Sequence, residues 1–389
     1  EEIFKSKLIR FSVISDELMA RLTATSRVMA SKTALPILDN FLFNLTDSTL
    51  ELTASDGETS MATRMDVENV DGSGMIALPA KLLLDTFKVL HGRTVDFDID
   101  MNTYAVKLSS GSWKAEYNGV DGDAYPKLTS LDASNTNTVR MQAQTLSLGI
   151  SHTIFAVSTD TLRPTMMGIY LDIDAADSKI TFVATDMFHL SQVKSSIVEA
   201  SGNCSVILPA NAAKLLKSIL GKEGEDVVVS WDSKNILFEL NDFTLVCRQI
   251  EGNFPNYKNA ISIQWNKELV IDRNSLISAV RHIEPFAEQS NKGVKFDVRE
   301  NQITVSAQSL DFGTAATEVV VCAYSGEPFE MTFKTESITN FCSYMETSDV
   351  VMKIESPYRG VVVEPLFNTS EDGEEQQNYE MLCLVMPMT

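Results

Sequence analysis

The chain repeats one plan three times along its 389 residues. Each copy opens with a short alternating strand, a polar break and then a helical pattern. These openings end at Leu18, Leu146 and Leu276, with spacings of 128 and 130 residues between them. Self-similarity at a fixed period indicates repeated structural units. The chain is therefore predicted to fold as three similar domains and not around one large core.

Three further markers recur in the same order along the copies. They are a proline before the second helical pattern, an aspartate after a strand and a proline near the end of a copy: Pro79 and Pro209; Asp56 and Asp186; and Pro126, Pro255 and, more loosely, Pro387. The third copy has EMTFKTESI at the first of these places, without the proline. Four markers at nearly one period strengthen the prediction of three domains.

Each copy contains two stretches with helical spacing, and the remainder alternates as half-buried strands. The stretch at 16–29 begins with acidic residues, and a second one follows Pro79. Examples of the predicted strands are TLELTAS, TVDFDID, AVKLSS, KITFVAT and DVVVSW. The predicted fold class is α+β, with three domains of like topology that each have two helices and antiparallel sheet. Polar linkers at 129–138 and 259–267 place the domains at 10–132, 133–264 and 265–389.

Composition narrows the class of protein further. No apolar run approaches the roughly 18 residues that a membrane-spanning helix needs, and the sequence from Glu1 shows no export signal. The five cysteines are scattered and form no CxxC pair. Buried free thiols in a reducing compartment are the simple interpretation, so a cytoplasmic location is predicted.

Charge is unevenly distributed along the chain. The formal net charge is −21, which argues against nucleic-acid binding by the surface as a whole. Six stretches predicted as helical nevertheless carry a net charge of +7 together. The other residues of the chain therefore carry a net charge of −28. These stretches are 16–32, 80–93, 144–163, 210–222, 273–295 and 334–347. Either they carry ordinary surface lysines, or the helices share one surface that faces a polyanion.

Candidate catalytic and metal sites are few. Asp186 and His189 lie three residues apart, but one Asp and one His make neither a catalytic triad nor a metal site. Asp96, Asp98 and Asp100 share a predicted strand face without the glycine turn and distal glutamate of a calcium loop. No phosphate-binding loop, zinc-protease motif or nucleophile elbow occurs. The sequence predicts no catalytic residue, metal or cofactor, and it favours a binding role.

The chain ends in the apolar run LVMPMT, at 384–389. A chain end is usually frayed and solvated unless something holds it, and this run is poorly suited to a loose tail in water. We expect it to pack against an apolar surface. That surface serves either the fold alone, as the packing edge of the last strand, or a binding partner.

The repeats, LPIL after the first helix, VATD at 183–186, FPNY and the ending VMPM together resemble the bacterial sliding clamp, the β subunit of the replicative DNA polymerase III. The likeness runs from about Arg10 to Thr389. It implies a processivity factor and not an enzyme: two chains close head to tail into a ring around duplex DNA. Helices would line the hole and sheets the outside. The implied partners are DNA bound without sequence preference, the polymerase, the clamp loader and repair factors that dock through short linear motifs.

The resemblance also implies a groove for partner peptides where domains two and three meet. The matching positions are Met166, Thr185, Met187, Phe188, His189, Leu190, Pro255, Asn259, Tyr358, Gly360, Leu384, Val385, Met386, Pro387 and Met388. The commoner TDGHRL is TDMFHL in this chain, and the tail lacks the usual final basic residue. These departures bear on which peptide the groove prefers. The first eight residues, EEIFKSKL, precede the usual start of the family.

Basic and edge positions carry over in the same way. Lys32 matches a basic residue near DNA, and Arg163 matches one between the DNA side and the groove. The other residues expected to face DNA are Lys81, Lys214, Lys217 and Arg281. Ala115 and Tyr117 on a strand of domain one, with Phe286 on domain three, match the contact that closes the ring. Phe286 is equally compatible with an ordinary core position.

Two other functions compete with the clamp. The first is a β-rich repeat enzyme that handles carbohydrate or metal, which requires a convergent carboxylate site that the sequence does not display. The second is a passive scaffold without DNA contact, and the basic helical stretches count against it.

Overall fold

The computed structural model describes residues 8–30, 35–220, 224–262, 264–367 and 379–388. The helices in these ranges are α1 (Ser15–Thr25), α2 (Ala80–Phe87), α3 (Ala143–Thr153), α4 (Ala210–Ile219), α5 (Tyr257–Ile261), α6 (Arg273–Ile283) and α7 (Thr335–Tyr344). Six of them coincide with the predicted helical stretches, two in each copy, whereas α5 lies where the sequence predicts a linker. None of the described helices is long and apolar enough to cross a membrane.

The helices are shorter than the predicted stretches, and this changes the charge count. α1 ends at Thr25 and α3 at Thr153, and a short 3-10 turn follows each of them. The six predicted helices themselves carry a net charge of +2, and not the +7 of the longer stretches. The expectation of strongly basic helices is therefore corrected. Much of the positive charge lies in segments that flank the helices, as Arg163 and Lys334 do.

Strands make up most of the remaining regular structure. The first copy contains β1 (Leu8–Ile14), β2 (Asn40–Thr46), β3 (Thr49–Ser55), β4 (Thr59–Asp66), β5 (Glu68–Asp71), β6 (Gly74–Pro79), β7 (Thr94–Asp100), β8 (Ala105–Ser110), β9 (Trp113–Asn118) and β10 (Val120–Asp121). The second contains β11 (Asn137–Gln142), β12 (Gly168–Asp174), β13 (Lys179–Thr185), β14 (His189–Ser196), β15 (Glu199–Ala200), β16 (Cys204–Pro209), β17 (Asp226–Trp231), β18 (Asn235–Glu239) and β19 (Phe243–Arg248). The third contains β20 (Lys267–Asp272), β21 (Gly293–Arg299), β22 (Gln302–Ser309), β23 (Thr314–Ala323), β24 (Phe329–Lys334), β25 (Asp349–Ile354), β26 (Val361–Leu366) and β27 (Tyr379–Val385). The bounds of β3, β7, β8, β13 and β17 are those that the alternation of polar and apolar residues predicts.

One compact unit comprises residues 1–144 and 214–249. Its strands form one sheet in the order β5-β1-β7-β8-β9 and a longer run in the order β10-β6-β2-β3-β4-β19-β18-β17-β11. α1 packs against α2. Phe97 lies at the centre of the buried aromatic core, with its ring centroid 4.6 Å from that of Phe11 and 6.1 Å from that of Phe87.

The other compact unit comprises residues 145–213 and 250–389. Its strands form a continuous sheet in the order β16-β12-β13-β14-β27-β26-β25-β20-β23-β22-β21-β24. α6 packs against α7. α3 approaches β13 closely at Gly149, where an added Cβ would lie 2.4 Å from the ring of Phe182. Five of the groove positions that the family resemblance predicts lie on strands of this sheet: Thr185, His189, Leu190, Leu384 and Val385.

Strand pairing joins successive copies of the repeat. β4 of the first copy pairs antiparallel with β19 of the second. β14 of the second copy pairs antiparallel with β27 of the third, from His189 opposite Val385 to Ser195 opposite Tyr379. Each compact unit therefore contains strands from two copies, and the units do not coincide with the copies. The domain bounds 10–132, 133–264 and 265–389 stay a prediction.

The cysteines are unpaired, in line with the expectation of free thiols. Cys247, Cys322, Cys342 and Cys383 are buried, and Cys204 is half-buried. Burial raises the pKa of the Cys383 thiol to about 12. Because the thiolate is the reactive form, this cysteine is chemically inert at neutral pH.

Candidate functional site

β14 lies between β13 and β27, and the three strands bring distant parts of the sequence together. Leu190 pairs with Thr185 on one side and with Leu384 on the other. Leu384 also pairs with Val362 of β26. Side chains directly opposite one another in paired strands point to the same face of the sheet. The side chains of Thr185, Leu190, Leu384 and Val362 therefore lie on one face of the sheet.

Apolar side chains cover this face of the sheet. The buried ones are Val183, Leu190, Tyr257, Val362 and Leu384, and Tyr170, Phe254, Ile261 and Leu382 pack against them. We refer to these nine residues as the apolar cluster. The ring centroids of Phe254 and Tyr170 lie 4.8 Å apart, and the rings are stacked. α5 supplies Tyr257 and Ile261, so a segment predicted as a linker forms part of the site.

The turn between β13 and β14 is built around Asp186, and we refer to residues 185–190 as the Asp186 turn. One carboxylate oxygen of Asp186 accepts hydrogen bonds from the N–H groups of Phe188 at 2.8 Å and His189 at 2.6 Å. The Thr185 hydroxyl donates to the His189 carbonyl at 2.7 Å. Met187 has a φ of +80°, in the left-handed region that favours glycine. The turn exposes Met187 and Phe188 by 55% and 61%.

His189 links the Asp186 turn to α7. Its Nδ1 lies 2.7 Å from Oδ2 of Asp186, and its Nε2 lies 2.6 Å from Oγ of Ser337. Burial alone would raise the pKa of Asp186, but the hydrogen bonds and charge of His189 outweigh it and hold that pKa below its usual value. Asp186 is therefore ionised at neutral pH, and it holds the turn closed.

Ser337 completes the set of residue types found in a serine hydrolase triad, although sequence reasoning found only Asp186 and His189. Ser337 is 4% exposed and lies in the first turn of α7. A nucleophile must be accessible to its substrate, and this hydroxyl is enclosed. The three side chains therefore act as a hydrogen-bonded link between two parts of the fold.

The tail runs along the Asp186 turn and then along β24. The N–H of Met386 donates to the Phe188 carbonyl at 2.9 Å, and the N–H of Met388 donates to the Thr332 carbonyl at 2.7 Å. The backbone of the tail is thus anchored at two points. The side chain of Met386 remains 36% exposed beside the turn.

Gly360 allows the tail to pack closely against β26. An added Cβ at Gly360 would lie 2.8 Å from Cδ1 of Leu384 and 3.0 Å from Sδ of Met386. Val385 follows Leu384 on the opposite face of the sheet and is 2% exposed. Its side chain therefore packs in the core, away from the apolar cluster.

The structure places the other predicted groove positions as follows. Met166 and Pro387 are buried, Pro255 is half-buried and accepts a hydrogen bond from the Tyr257 N–H, and Asn259 and Tyr358 are exposed. Within the described residues, Met166, Asn259 and Tyr358 make no hydrogen bond with the Asp186 turn or the tail. Lys334, which sequence reasoning missed, lies with its Nζ 5.6 Å from the centroid of the Phe188 ring.

The first copy contains an equivalent of the Asp186 turn. Asp56 accepts hydrogen bonds from the N–H groups of Glu58 at 2.8 Å and Thr59 at 2.7 Å, and the Ser55 hydroxyl donates to the Thr59 carbonyl at 3.0 Å. Gly57 occupies the position of Met187 and has a φ of +99°. The same backbone turn thus has glycine in one copy and methionine in the other.

The residues expected to face DNA lie on or beside the helices. Lys81, Lys214, Lys217 and Arg281 are exposed on α2, α4 and α6. None of these four forms an ion pair with another residue in the part of the chain that the structure describes. Arg163 precedes a 3-10 turn and lies 3.7 Å from Asp160. Lys32 lies outside the described residues.

One strand edge and one 3-10 turn bear on the predicted ring contact. Ala115 and Tyr117 are half-buried on β9, which ends its sheet. The Tyr117 hydroxyl is buried without a hydrogen-bond partner among the described residues, and burial raises its pKa. Phe286 is 38% exposed in a 3-10 turn after α6.

Sequence reasoning did not find the open edge of β23. Within the described residues, β23 pairs with β22 along its length but with β20 only at Cys322 and Ala323. The exposed apolar side chains on β23 and the turn before it are Leu310, Phe312, Val319 and Val321, at 84%, 64%, 57% and 78%. The run of three valines at 319–321 was the available signal, but such a run does not show which edge of a strand lacks a neighbour.

Three segments of the chain match one protein family along almost its whole length. Residues 9–129, 140–256 and 258–375 match the N-terminal, central and C-terminal domains of the DNA polymerase III beta subunit, in that order. The chain belongs to this family. The predicted resemblance is therefore confirmed.

Curated relatives and solved structures agree with the family match. The beta sliding clamp of Synechococcus elongatus is 28% identical over 359 residues, which cover 90% of this chain and 94% of that protein. The beta sliding clamp of Staphylococcus aureus is 24% identical over 366 residues, which cover 92% and 96%. A Pseudomonas aeruginosa sliding clamp solved with griselimycin superposes with a TM-score of 0.89 at 20% identity, over 98% of this chain and 99% of that one. The α+β fold of three repeated clamp domains is confirmed.

The methionine at position 187 provides a test of backbone strain. A left-handed conformation costs a residue with a side chain about 1–2 kcal/mol, and the exposed Met187 recovers little by packing. Met187→Gly should therefore raise the melting temperature by about 1–3 °C, measured by circular dichroism.

The matched variant is Gly57→Met in the first copy. An added Cβ there meets only Leu38, at an ordinary contact distance of 3.6 Å, so the loss of stability reports the same strain. A fall in melting temperature for Met187→Gly would show that the Met187 side chain packs and would contradict the strain.

Proposed function

We propose that this chain is a cytoplasmic DNA sliding clamp. Two copies close head to tail into a ring around duplex DNA, and the ring keeps the replicative polymerase and other partners on the template. The observation that carries the proposal is the match of three clamp domains, in order, along almost the whole chain. Such a protein is not an enzyme. Threaded DNA cannot leave a closed ring, so weak contacts to phosphate suffice and sliding stays easy.

The open strand edges support closure by a second copy. β9 ends one sheet, and β23 leaves most of one edge unpaired within the described residues. An exposed edge strand with apolar side chains is prone to pair with another chain. Joining different surfaces head to tail makes a heterologous contact. Such contacts form a closed ring only if the rotations between successive copies add up to a full turn. Three domains in each of two chains, with the proposed bounds of 10–132, 133–264 and 265–389, give six steps around the ring.

The dimer can be tested by sedimentation at micromolar concentration. The wild-type mass should be twice the chain mass of 43.0 kDa. Phe286→Asp and Val321→Asp should each shift the equilibrium towards monomer, because a contact with a second copy would bury an unpaired charge.

The matched control is Leu162→Asp. Leu162 is 88% exposed in a loop outside both open strands. The Leu162→Asp protein should therefore remain a dimer. A wild-type protein that stays monomeric at low salt would rule out the ring.

Exposed cations that form no ion pair within the described part of the chain support contact with DNA. Lys81, Lys214, Lys217 and Arg281 are exposed on helices, while the chain as a whole carries a formal charge of −21. Phosphate contacts from such side chains carry no sequence information. The acidic remainder repels DNA from other surfaces, which confines the duplex to the helices.

The salt dependence of duplex binding tests this arrangement. Affinity for a linear duplex should be weak, without base preference, and should fall steeply with salt. Replacing Lys81, Lys214 and Lys217 with glutamine should lower the slope of log affinity against log salt by about one per lysine that contacts phosphate, measured by fluorescence anisotropy.

The matched control replaces three exposed strand lysines, Lys107, Lys179 and Lys295, with glutamine. Its slope should equal that of the wild-type protein. Equal losses in the two triple variants, or nanomolar binding to one sequence, would contradict DNA contact through the helices.

The apolar cluster and the tail support a partner groove. Leu384 and Leu190 lie opposite each other, and Met386 stays exposed beside the Asp186 turn. Methionine suits a surface that accepts different partners, because its unbranched thioether adapts its shape. Two buried anchors of a partner peptide are worth roughly 1.5–3 kcal/mol each. The two anchors together therefore supply about 3–6 kcal/mol before the cost of ordering the peptide, so they alone predict weak binding, in the range of about tens of micromolar to millimolar.

Deleting residues 386–389 separates a binding tail from a structural one. Binding of a peptide that carries glutamine followed by leucine and phenylalanine should be lost, because Met386 is removed. The dimer mass and the melting temperature should change little, since the apolar cluster remains.

The control is Met388→Ala, because the Met388 sulfur lies 3.3 Å from the position of a Cβ added at Gly293, in a different part of the sheet. The family resemblance also assigns Met388 to the groove, but its N–H binds the Thr332 carbonyl on β24, so this variant should keep most of its affinity. If the truncated protein binds the peptide as tightly as the wild type, the tail is structural and the groove lies elsewhere.

A further inference from the structure

Helix ends join successive copies of the repeat, in addition to the strand pairs. Between the first two copies, Nη1 of Arg27, just after α1, donates to the Ser218 carbonyl on α4 at 2.7 Å. Between the second and third copies, Nδ1 of His152 on α3 lies within hydrogen-bond distance of the Tyr344 carbonyl at the end of α7. In both cases the end of the first helix of one copy contacts the end of the second helix of the next copy.

His152 lies between two oxygen acceptors. Its residue is 5% exposed, Nδ1 faces the Tyr344 carbonyl, and Nε2 lies 3.8 Å from Oε1 of Glu346. A neutral imidazole has one N–H donor, whereas an imidazolium has two. An imidazole between two acceptors can therefore donate to both of them only in its charged form.

His282 on α6 occupies the position of His152 in the repeat. Each of these histidines follows the leucine that ends the opening of its copy, Leu146 or Leu276, by six residues. One acceptor is already in place, since Nδ1 of His282 lies 2.9 Å from Oε2 of Glu318 on β23. The His282 side chain is 67% exposed, and within the described residues no second acceptor contacts its ring. The third copy therefore contains half of the arrangement around His152.

The open edge of β23 indicates which element would supply the other half. β23 follows β22 in a hairpin, as β4 follows β3 and β14 follows β13. β4 pairs with β19 and β14 with β27. The corresponding strand of the first copy is β9, which follows β7 and β8 and ends its sheet. β23 is thus matched by β9 of a second chain, and the end of α6 would then meet the end of α2.

The end of α2 offers the missing acceptor. Val89 lies nine residues after the first residue of α2, as Tyr344 lies nine residues after the first residue of α7. The Val89 carbonyl of a second chain would therefore face His282, as the Tyr344 carbonyl faces His152. His91 corresponds in the same way to Glu346, and its Nδ1 lies 3.4 Å from Oδ1 of Asp16.

We propose that His282 makes ring closure sensitive to pH, because contact with a second chain encloses its imidazole between Glu318 and the Val89 carbonyl and thereby favours binding of a proton. This inference rests on the proposed function, since the second chain is that of the proposed ring. Histidine changes its charge between about pH 5 and 8. A closed contact that binds more protons than the separate chains gains stability as the pH falls. Acid therefore strengthens the dimer.

Few other charges of the same chain face the His282 ring. α6 packs against α7, β20, β22 and β23; β22 carries no titratable side chain, and β23 carries only Glu318 and the buried Cys322. Beyond the start of α6, the remaining charged residues of these elements and of the turn after α6 form no ion pair with His282 in the part of the chain that the structure describes. They are Lys267, Glu268, Arg281, Glu284 and Glu336.

Two cations of the second chain oppose the proton on His282. Lys88 and His91 both lie beside Val89. Lys88 is exposed, so water and salt screen its charge, and Asp16 offsets the charge of His91 when His91 is protonated. Glu318 and the Val89 carbonyl accept the N–H groups directly, so their effect on His282 is the larger one.

Sedimentation of the full-length protein at constant ionic strength measures the coupling. Between about pH 8 and pH 6, the dissociation constant of the wild-type dimer should fall about tenfold more than that of His282→Gln. Glutamine keeps an N–H donor but does not titrate. All other titrating groups are common to both proteins, so their contribution cancels in this comparison. For a dimer too tight to dissociate on dilution, the rate of exchange between two dye-labelled pools gives the same comparison.

Two further variants assign the effect to its residues. Glu318→Gln replaces the acceptor that each chain itself provides, and it should remove most of the additional pH dependence. His91→Gln replaces the histidine on the other side of the contact and should keep that dependence, because His91 faces Asp16. Circular dichroism at both pH values verifies that every variant is folded.

The outcomes distinguish this inference from the ring itself. If the wild-type chain is monomeric at both pH values, the ring and the inference both fail. If the dimer forms and its dissociation constant changes equally in the wild type and His282→Gln, the ring stands and the pH coupling is wrong. The coupling is also wrong if acid weakens the wild-type dimer relative to His282→Gln, or if only His91→Gln loses the pH dependence.

Discussion

The antiparallel pairing of β14 with β27 is the constraint on which the site depends. It joins a strand of the second copy to the last strand of the third, residue by residue from His189 to Ser195. The pairing places Leu190 beside Leu384 and brings the tail to the Asp186 turn. Without this register the apolar cluster would have no second wall, because a slip of one residue would turn Leu384 to the opposite face of the sheet.

Under the proposed function, a strongly acidic protein must hold DNA with few cations. Pairing between copies lets their strands share sheets, so the cations on the helices keep defined positions on the fold. Lys214 and Lys217 on α4 need no high affinity if the duplex is enclosed. A small number of cations without protein partners is then sufficient, and the surplus of carboxylates elsewhere limits binding to wrong surfaces.

Much of the fold follows from the order of residues, and the exceptions have physical causes. β7 and β8 have the predicted bounds because one face of each is buried, and burial imposes a period of two on the sequence. β3, β13 and β17 also have the predicted bounds, although the last residues of each are buried on both faces. α5 escaped prediction because five residues after a proline are too few to show a helical period. The charge of the helices was overestimated because propensity does not show where a last turn ends.

The meeting of the tail with the Asp186 turn was predictable, but the detail of the candidate site was not. The tail and the Asp186 turn were expected from the family resemblance, and the structure brings them together. Ser337 and Lys334 could not be assigned, because their contacts join residues about 150 positions apart. The left-handed conformation of Met187 was also hidden, since methionine gives no local signal for a positive φ; only comparison with Gly57 reveals it.

The open edge of β23 makes a chain that has not bound a second copy prone to aggregation. An unpaired strand edge flanked by Val319 and Val321, with Leu310 and Phe312 at the adjoining turn, can pair with any β-rich chain that it meets. Productive association and aggregation therefore compete from the moment of synthesis, and both rise with concentration. If two copies close into the proposed ring, each closed contact also removes an aggregation-prone edge from solution.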